Sequence, residues 1–296
     1  MYSVLVPVYN WDIEKLAICL SHQISKLTID IEVIFFDDFS SNQELLYKNE
    51  SLIEQLGFKF YKSSVNNGIA QTLNLLANAS KYEWLIYLDA DIIPVQQNFI
   101  DYYIRLNKNS NKIYCGGLLY ETNKPKKGVL RWKYGRKYEV QTTQYANQNP
   151  YLNFKACNFF MHKSILSKHS FTSNNDNYYA AVDTLFGLKL KNTNVNIEFV
   201  DNRVYHLGLD SNEEYLNKAK LYVKSIVKSY KDKQVDMKSI RLIEFYERQN
   251  SFNIKLYSLL FRFTKPIIYM NLLSQYPSIY LFQFFKLGYF IEEMES

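Results

Sequence analysis

Glycine and proline are scarce in this 296-residue chain, at 9 and 6 residues. That argues against a loop-built or fibrous protein. Cysteine is scarcer still. Cys19, Cys115 and Cys157 stand far apart, form no CxxC pair and are too few for a disulfide framework, so a reducing compartment is expected. No G-x-G-x-x-G follows the first apolar run, and no G-x-x-x-x-G-K-[ST] occurs, which excludes the usual dinucleotide turn and the P-loop. The first residues carry no positively charged region, and their apolar run stops at Pro7, so no secretory signal is read there. Charge is not lopsided either. The 35 Lys and Arg oppose 29 Asp and Glu, a net +6, which is weaker than the basic face of a nucleic-acid binder, and no nucleic-acid partner is expected.

What is abundant is apolar. Hydrophobic residues make up 47% and charged residues 22%, which excludes disorder as the overall state. Aromatics reach 17%, with 26 Tyr and 20 Phe. The length is ample for one large domain, or one domain with an appendage.

Continuous apolar runs at residues 3–8, 31–36, 58–61 and 84–88 read as buried parallel strands. Between them lie helical patterns. The first is capped by Asp12, with Leu16, Cys19, Leu20 and Ile24 on its apolar face. The second carries Leu45, Leu46, Leu52, Ile53 and Leu56, and the third covers residues 69–79. Alternating strands and helices predict an α/β fold with a doubly wound, mostly parallel sheet, in which ligands bind beyond the carboxyl ends of the strands. Tyr9, Asn10, Asp37, Asp38, Asn67, Asp89 and Asp91 collect at those ends. Residues 113–121 and 154–162 read as further strands, and 214–230 as an amphipathic helix, followed by an aromatic-rich helical extension to residue 296.

One stretch bears on membranes. Residues 266–285 carry no charge and are long enough to span. Asn271, Ser274, Gln275, Pro277, Ser278 and Gln283 interrupt it, which favours an amphipathic, interface-lying or packed segment.

The chemistry concentrates in Asp89-Ala90-Asp91 after the fourth strand. In extended chain, carboxylates at i and i+2 face the same way, about 7 Å apart. Both can engage one hydrated divalent cation, and oxygen donors suit Mg²⁺ or Mn²⁺ with substrate phosphates. The plainer alternative is a turn with two solvated acids. Asp37-Asp38 ends the second strand, where an acid can hydrogen-bond a ribose or base, or cap the next helix.

Taken in order, Pro7-Val8-Tyr9-Asn10, Asp37-Asp38-Phe39-Ser40, Asn67-Gly68 with Ala70 and Asn74, and Asp89-Ala90-Asp91 followed by Pro94 resemble family 2 glycosyltransferases of the GT-A fold. The resemblance continues through Gly116-Gly117, Asn158-Phe159-Phe160, the run beginning at Asp183 and the run from Val204 through His206 to Gly208. It covers roughly the first 210 residues. It implies a GT-A catalytic domain over 1–210, divided into a nucleotide-binding half (1–95) and an acceptor-binding half (96–210), with 211–296 as the C-terminal helical extension.

The resemblance also implies roles. Tyr9 and the backbone at Pro7 and Val8 line the base pocket. Asp37 or Asp38, with preference for Asp38, bonds the base or ribose, while Asn67 and Gly68 pack against the nucleoside. Asp89 lies at the ribose, Asp91 holds the metal, and His206 completes the metal or diphosphate site, a mixed ligand set that favours Mn²⁺. Asp183 is the general base, which is otherwise a helix N-cap. Relatives carry a Glu-Asp pair there; this chain has Val182-Asp183.

Between Lys124 and Lys137 seven cations occur without an acid, interleaved with Trp132 and Tyr134 and followed by Tyr138. The alternatives are a solvated loop, or Arg131, Trp132 and Tyr134 meeting a glycan or lipid-linked acceptor, with the cations near anionic membrane.

The expected activity is therefore inverting, metal-dependent transfer of a sugar from a nucleotide sugar, taken as UDP-linked, to an acceptor hydroxyl, as in bacterial surface polysaccharide synthesis. The expected location is cytoplasmic, peripheral on the inner face of the membrane. Two rivals stay open. A nucleotide-sugar-binding pseudoenzyme would explain the missing Glu at Val182. A nucleotidyltransferase would need a Gly-rich loop with Lys or Arg where Tyr9-Asn10-Trp11-Asp12 stands.

Overall fold

The computed structural model of the protein describes residues 1–172, 181–233 and 236–296. In chain order its elements begin with β1 (Tyr2–Val8), α1 (Glu14–Ile24), β2 (Ile31–Asp37), α2 (Gln43–Gln55), β3 (Lys59–Lys62), α3 (Ile69–Ala79), β4 (Trp84–Leu88), β5 (Ile92–Pro94) and α4 (Phe99–Arg105). They continue with β6 (Lys112–Cys115), β7 (Leu118–Leu119), α5 (Val129–Tyr138), α6 (Thr143–Ala146), α7 (Pro150–Asn153), β8 (Asn158–His162), α8 (Ser164–Lys168) and α9 (Val182–Asn192). The last are β9 (Asn196–Phe199), β10 (Val204–His206), α10 (Asn212–Lys231), α11 (Arg241–Glu247), α12 (Ser251–Leu273) and α13 (Ile279–Glu295).

The chain divides into two compact units. The first comprises Met1–Glu121, Glu139–Thr172 and Val182–Gly208. Its main sheet has seven strands in the order β3-β2-β1-β4-β8-β6-β9, and β10 lies between β5 and β7 in a second sheet of three. The β1 strand pairs in parallel with both β2 and β4. All seven of its residues are buried, which is why the run reads as continuously apolar. The β8 strand is antiparallel to β4 and β6. At the edge, β3 is largely exposed, so its apolar run is not the buried strand that the pattern predicts.

Other departures have local causes. Residues 113–121 are two strands, because the chain leaves the main sheet at Gly116-Gly117. A Cβ on Gly116 would lie 2.0 Å from the Asn202 carbonyl, and Gly117 has φ +79°. Of residues 154–162 only β8 is strand; Pro150 opens the short α7 just before. Asp12 lies outside α1, whose N-cap is Ile13, and its carboxylate accepts the Glu14 N–H at 3.0 Å. Asn42, not Asp37 or Asp38, caps α2 by accepting the Leu45 N–H.

The second unit comprises Thr122–Tyr138 and Leu209–Ser296, so residues 122–138 join the helical extension. Leu130, Leu216, Phe261, Ile268, Phe282 and Phe285 form its core, and Tyr134 packs against them. Aromatic rings on α5 interlock with α10 and α13, which explains the reassignment: Tyr134 meets Tyr215 at 6.0 Å and Phe282 at 5.5 Å. A capping box between Ser211 and Glu214 starts α10. The uncharged stretch 266–285 is broken, since α12 ends at Leu273 and Ser278 caps α13. Among the described residues, no helix is long and apolar enough to cross a membrane.

Candidate active site

Beyond the carboxyl ends of β1 and β2, two loops are stapled together. Asn10, in the left-handed region at φ 49°, accepts the Ser41 and Asn42 N–H groups on its side-chain oxygen. Its own N–H donates to Ser40 Oγ, and Asp37 holds Ser40 through the backbone N–H at 2.9 Å and the hydroxyl at 2.5 Å. Asp37 is thus buried as a loop anchor. Asp38 is buried too. One of its oxygens accepts the Asn67 backbone N–H (2.8 Å) and side-chain amide (2.9 Å), and the other accepts the Gly68 N–H (2.8 Å). Gly68 sits at φ 76°, ψ 158°, a conformation open essentially to glycine alone, and begins α3. Pro7 and Val8 are buried in β1, so a ligand there would meet backbone; Tyr9 is 43% exposed.

Beyond β4 the chain does not stay extended. Asp89 follows the strand directly, and Ala90-Asp91 form a turn into β5, so the i, i+2 spacing of an extended chain does not apply. The carboxylates still converge. Burial, then Asp91, then Asp183 push the Asp89 carboxyl well above the usual carboxylate range. Asp183 lies in the first turn of α9, where its Oδ1 accepts the Ala156 N–H at 3.3 Å. The Cys157 thiol is raised well above its ordinary value, by burial first and then by Asp89, Asp183, Glu139 and Asp91. All four of these acids thus disfavour the Cys157 thiolate.

The small sheet brings in His206. Its antiparallel register sets His206 opposite Ile92, and the Leu207 N–H donates to the Asp91 carbonyl at 2.8 Å. His206 Nε2 then lies 3.6 Å from Asp91 Oδ2. Tyr120 stacks on the His206 ring at 5.4 Å and donates its hydroxyl to Glu139. Gly208 leaves the space that Asp91 fills, since a Cβ there would lie 1.9 Å from Asp91 Oδ2. Sequence reasoning gave Tyr120, Glu139 and Gly208 no role. Gly208 closes the run that begins at Val204, so its place beside His206 was the available signal; Tyr120 and Glu139 carry none.

Asp89, Asp91, Asp183 and His206 are thus gathered in the first unit, with the Asp38-Asn67-Gly68 cluster at the end of β2. Arg131, Trp132 and Tyr134 lie on α5 in the second unit. There the Arg131 guanidinium lies over Tyr215 at 5.3 Å, and Arg136 lies over Trp132 at 5.0 Å.

A mostly parallel sheet with acids at the carboxyl ends of its strands, and a histidine brought beside them by the small sheet, marks an α/β protein with a candidate ligand site there. The chain belongs to glycosyl transferase family 2, whose model matches residues 3–170. Its fold is that of GT-A glycosyltransferases. An uncharacterized glycosyltransferase of Haemophilus influenzae is 30% identical over 116 residues, a stretch spanning only 38% of this chain and 38% of that protein. The glucosyl-3-phosphoglycerate synthase of Mycobacterium tuberculosis, solved with Mn²⁺, UDP and glucosyl-3-phosphoglycerate, has TM-score 0.53 at 14% identity, over 77% of this chain and 79% of that one. A mannosyltransferase of Pyrobaculum calidifontis, solved with GDP-Man and Mn²⁺, has TM-score 0.54 at 12% identity, over 99% of this chain and 85% of that one. At those identities the likeness speaks for the fold.

Proposed function

We propose that this glycosyltransferase is inverting and metal-dependent, and that it moves a sugar from a UDP-linked donor to a hydroxyl of a glycan or lipid-linked acceptor. The observation that carries the reading is the convergence of Asp89, Asp91 and Asp183 with His206 3.6 Å from Asp91. Like charges held together in a half-buried place favour a bound cation.

The donor set fits Mn²⁺ or Mg²⁺. Asp91 supplies a carboxylate and His206 an imidazole, a mixed set that leans to Mn²⁺. Among the described residues, no group of three His, Cys, Asp or Glu could hold a metal ion alone, so the remaining ligands would be diphosphate oxygens and water. When bound, such a cation neutralises the charge of the leaving diphosphate. The neighbours that hold Mn²⁺ with UDP or GDP-Man support this reading.

The residues divide the remaining work. Tyr9 and the Pro7 and Val8 backbone face the base. Asp38, with Asn67 and Gly68 fixed on its carboxylate, shapes the nucleoside side, and Asp37 fixes the loop beside it. Asp89 lies towards the ribose. Asp183 takes the proton from the acceptor hydroxyl as that oxygen bonds the anomeric carbon. The bond from that carbon to the diphosphate oxygen breaks, and UDP leaves with the electron pair. One displacement inverts configuration and needs no covalent enzyme intermediate. Arg131, Trp132 and Tyr134 are assigned to the acceptor. The setting is the cytoplasmic face of the membrane, in surface polysaccharide synthesis, with peripheral contact.

Val182, where the family resemblance implies Glu, favours one rival: a protein that binds nucleotide sugar without turning it over. A thermal-shift panel of nucleotide sugars with and without Mn²⁺ tests donor binding, because a ligand at 100 times its Kd adds about 2.7 kcal/mol of stability. Metal-dependent stabilisation by a UDP-sugar is expected, and stabilisation by none contradicts the reading. Release of UDP from the best donor then eliminates the inactive rival.

A further inference from the structure

The second unit leaves unusual surface uncovered. On α12, Phe252, Leu256, Leu259, Phe263, Ile267 and Met270 are all exposed, Phe252 and Phe263 at 74% each, Met270 at 72% and Ile267 at 63%. Their spacing of three and four places them in one stripe along the helix, about 27 Å long at 1.5 Å per residue. The opposite side carries the buried Phe261, Ile268 and Leu272, so the helix is already packed and this stripe is surplus to the core. An exposed apolar strip of that length marks a site of interaction.

Its surroundings are basic. No Asp or Glu occurs in α12, and exposed Lys255 and Arg262 lie along one edge of the stripe. The two α13 acids that touch α12 are engaged: Glu292 pairs with Lys265 at 3.0 Å and Glu295 accepts from Ser258. At the C-terminal end of α12 the basic segment adjoins the turn into α13. Lys126 O accepts from Gln275, Lys133 donates to the Pro277 carbonyl at 3.0 Å, Lys124 lies over Tyr276 at 4.1 Å, and Lys137 over Tyr280 at 4.5 Å. Tyr276 and Tyr280 are each at least 75% exposed, and tyrosine favours the boundary between headgroups and acyl chains.

We infer that the stripe on α12 and the basic segment 124–137 form one docking surface for an anionic lipid bilayer. The apolar face would enter the headgroup and acyl boundary by about 5–10 Å, while the cations meet lipid phosphates. Charge selects this occupant over a second copy of the chain, which would set Lys255, Arg262 and the basic segment against their own equivalents. The inference deepens the peripheral contact of the proposed function and rests on that reading.

The test is sedimentation of the full-length protein with vesicles of phosphatidylcholine alone or with added phosphatidylglycerol, at low salt. Three preparations are compared: wild type, Phe263→Asp with Ile267→Asp, and Lys126→Glu with Lys127→Glu. The first pair is expected to lose binding at least about tenfold in either lipid. The second should lose about 25-fold or more on anionic vesicles, at about fivefold per cation, and little on neutral ones. All four side chains are exposed, so melting temperatures should stay near wild type. Wild-type protein that ignores anionic vesicles, or binds neutral ones equally, overturns the inference. So does self-association abolished by Phe263→Asp with Ile267→Asp in protein that binds no vesicle. UDP titration with Mn²⁺ on the same wild-type sample separates the two readings. Vesicle binding without UDP binding overturns the transferase reading and leaves the surface standing; UDP binding without vesicle binding overturns the surface alone.

Discussion

In β1 of the first unit, seven of seven residues are buried, whereas α12 of the second unit buries three of its 23. Both segments are rich in apolar residues, yet the strand buries all of them in its own core and the helix leaves a full stripe outside it. The polar side is reversed as well. The first unit sets the Asp91 and Asp183 charges against the buried Asp89 carboxyl, while the second surrounds an apolar stripe with lysine and arginine. Each arrangement is unfavourable for an isolated folded chain. Each becomes favourable with a partner of the missing kind: a cation and diphosphate for one, an anionic apolar boundary for the other. Function is readable where a unit's own packing leaves a group unsatisfied.

The sharpest way to break this comparison is at Asp183. Asp183→Asn should keep UDP affinity and lose more than about 100-fold in kcat, the scale of a positioned general base. Near-normal turnover by the variant would move the base elsewhere and end the claim that the acids are gathered for chemistry.

A smaller effect is expected from Gly208→Ala. The added methyl would overlap Asp91 Oδ2, so the Asp91 carboxylate must leave its place beside Gly208. Metal-dependent UDP affinity should fall about 10–100-fold, as for the loss of a group that orients a metal ligand. Calorimetric titration with and without Mn²⁺ reads it, and unchanged affinity would show that Asp91 needs no such support.

In the second unit the matching change is Gly288→Ala. A Cβ there would lie 2.2 Å from the fully buried Phe261 ring, where α12 and α13 cross. Overpacking should cost about 1–3 kcal/mol by denaturant melting. UDP affinity should not change, because the variant touches only the helical unit.

The nucleotide half was legible because its signals are local. Buried parallel strands read as unbroken apolar runs, and turn residues mark their ends. The acids after β2 and β4 follow those strands in sequence, so their shared end of the sheet could be inferred from topology. What was illegible depends on long-range pairing. His206 was placed with Asp91 only through the family resemblance, because the β5–β10 register that joins them is long-range; Tyr120 stacks on His206 across 86 residues of chain, and Glu139 meets Tyr120 across 19. The geometry of Asp89 and Asp91 was misjudged because extension was assumed past the end of β4. The basic segment was placed in the catalytic half because its charge dominates the pattern, whereas Leu130 and Tyr134 decide where it packs. The stripe on α12 was visible only as aromatic abundance, since a hydrophobic helix reads alike whether its second face meets protein or not.

The most direct test of the central claim is calorimetric titration of UDP with Mn²⁺ into wild-type protein and Asp91→Ala. If the gathered acids form a metal–diphosphate site, wild type binds UDP in a metal-dependent manner and the variant loses that dependence altogether. Equal, Mn²⁺-dependent affinity in both proteins would contradict the account.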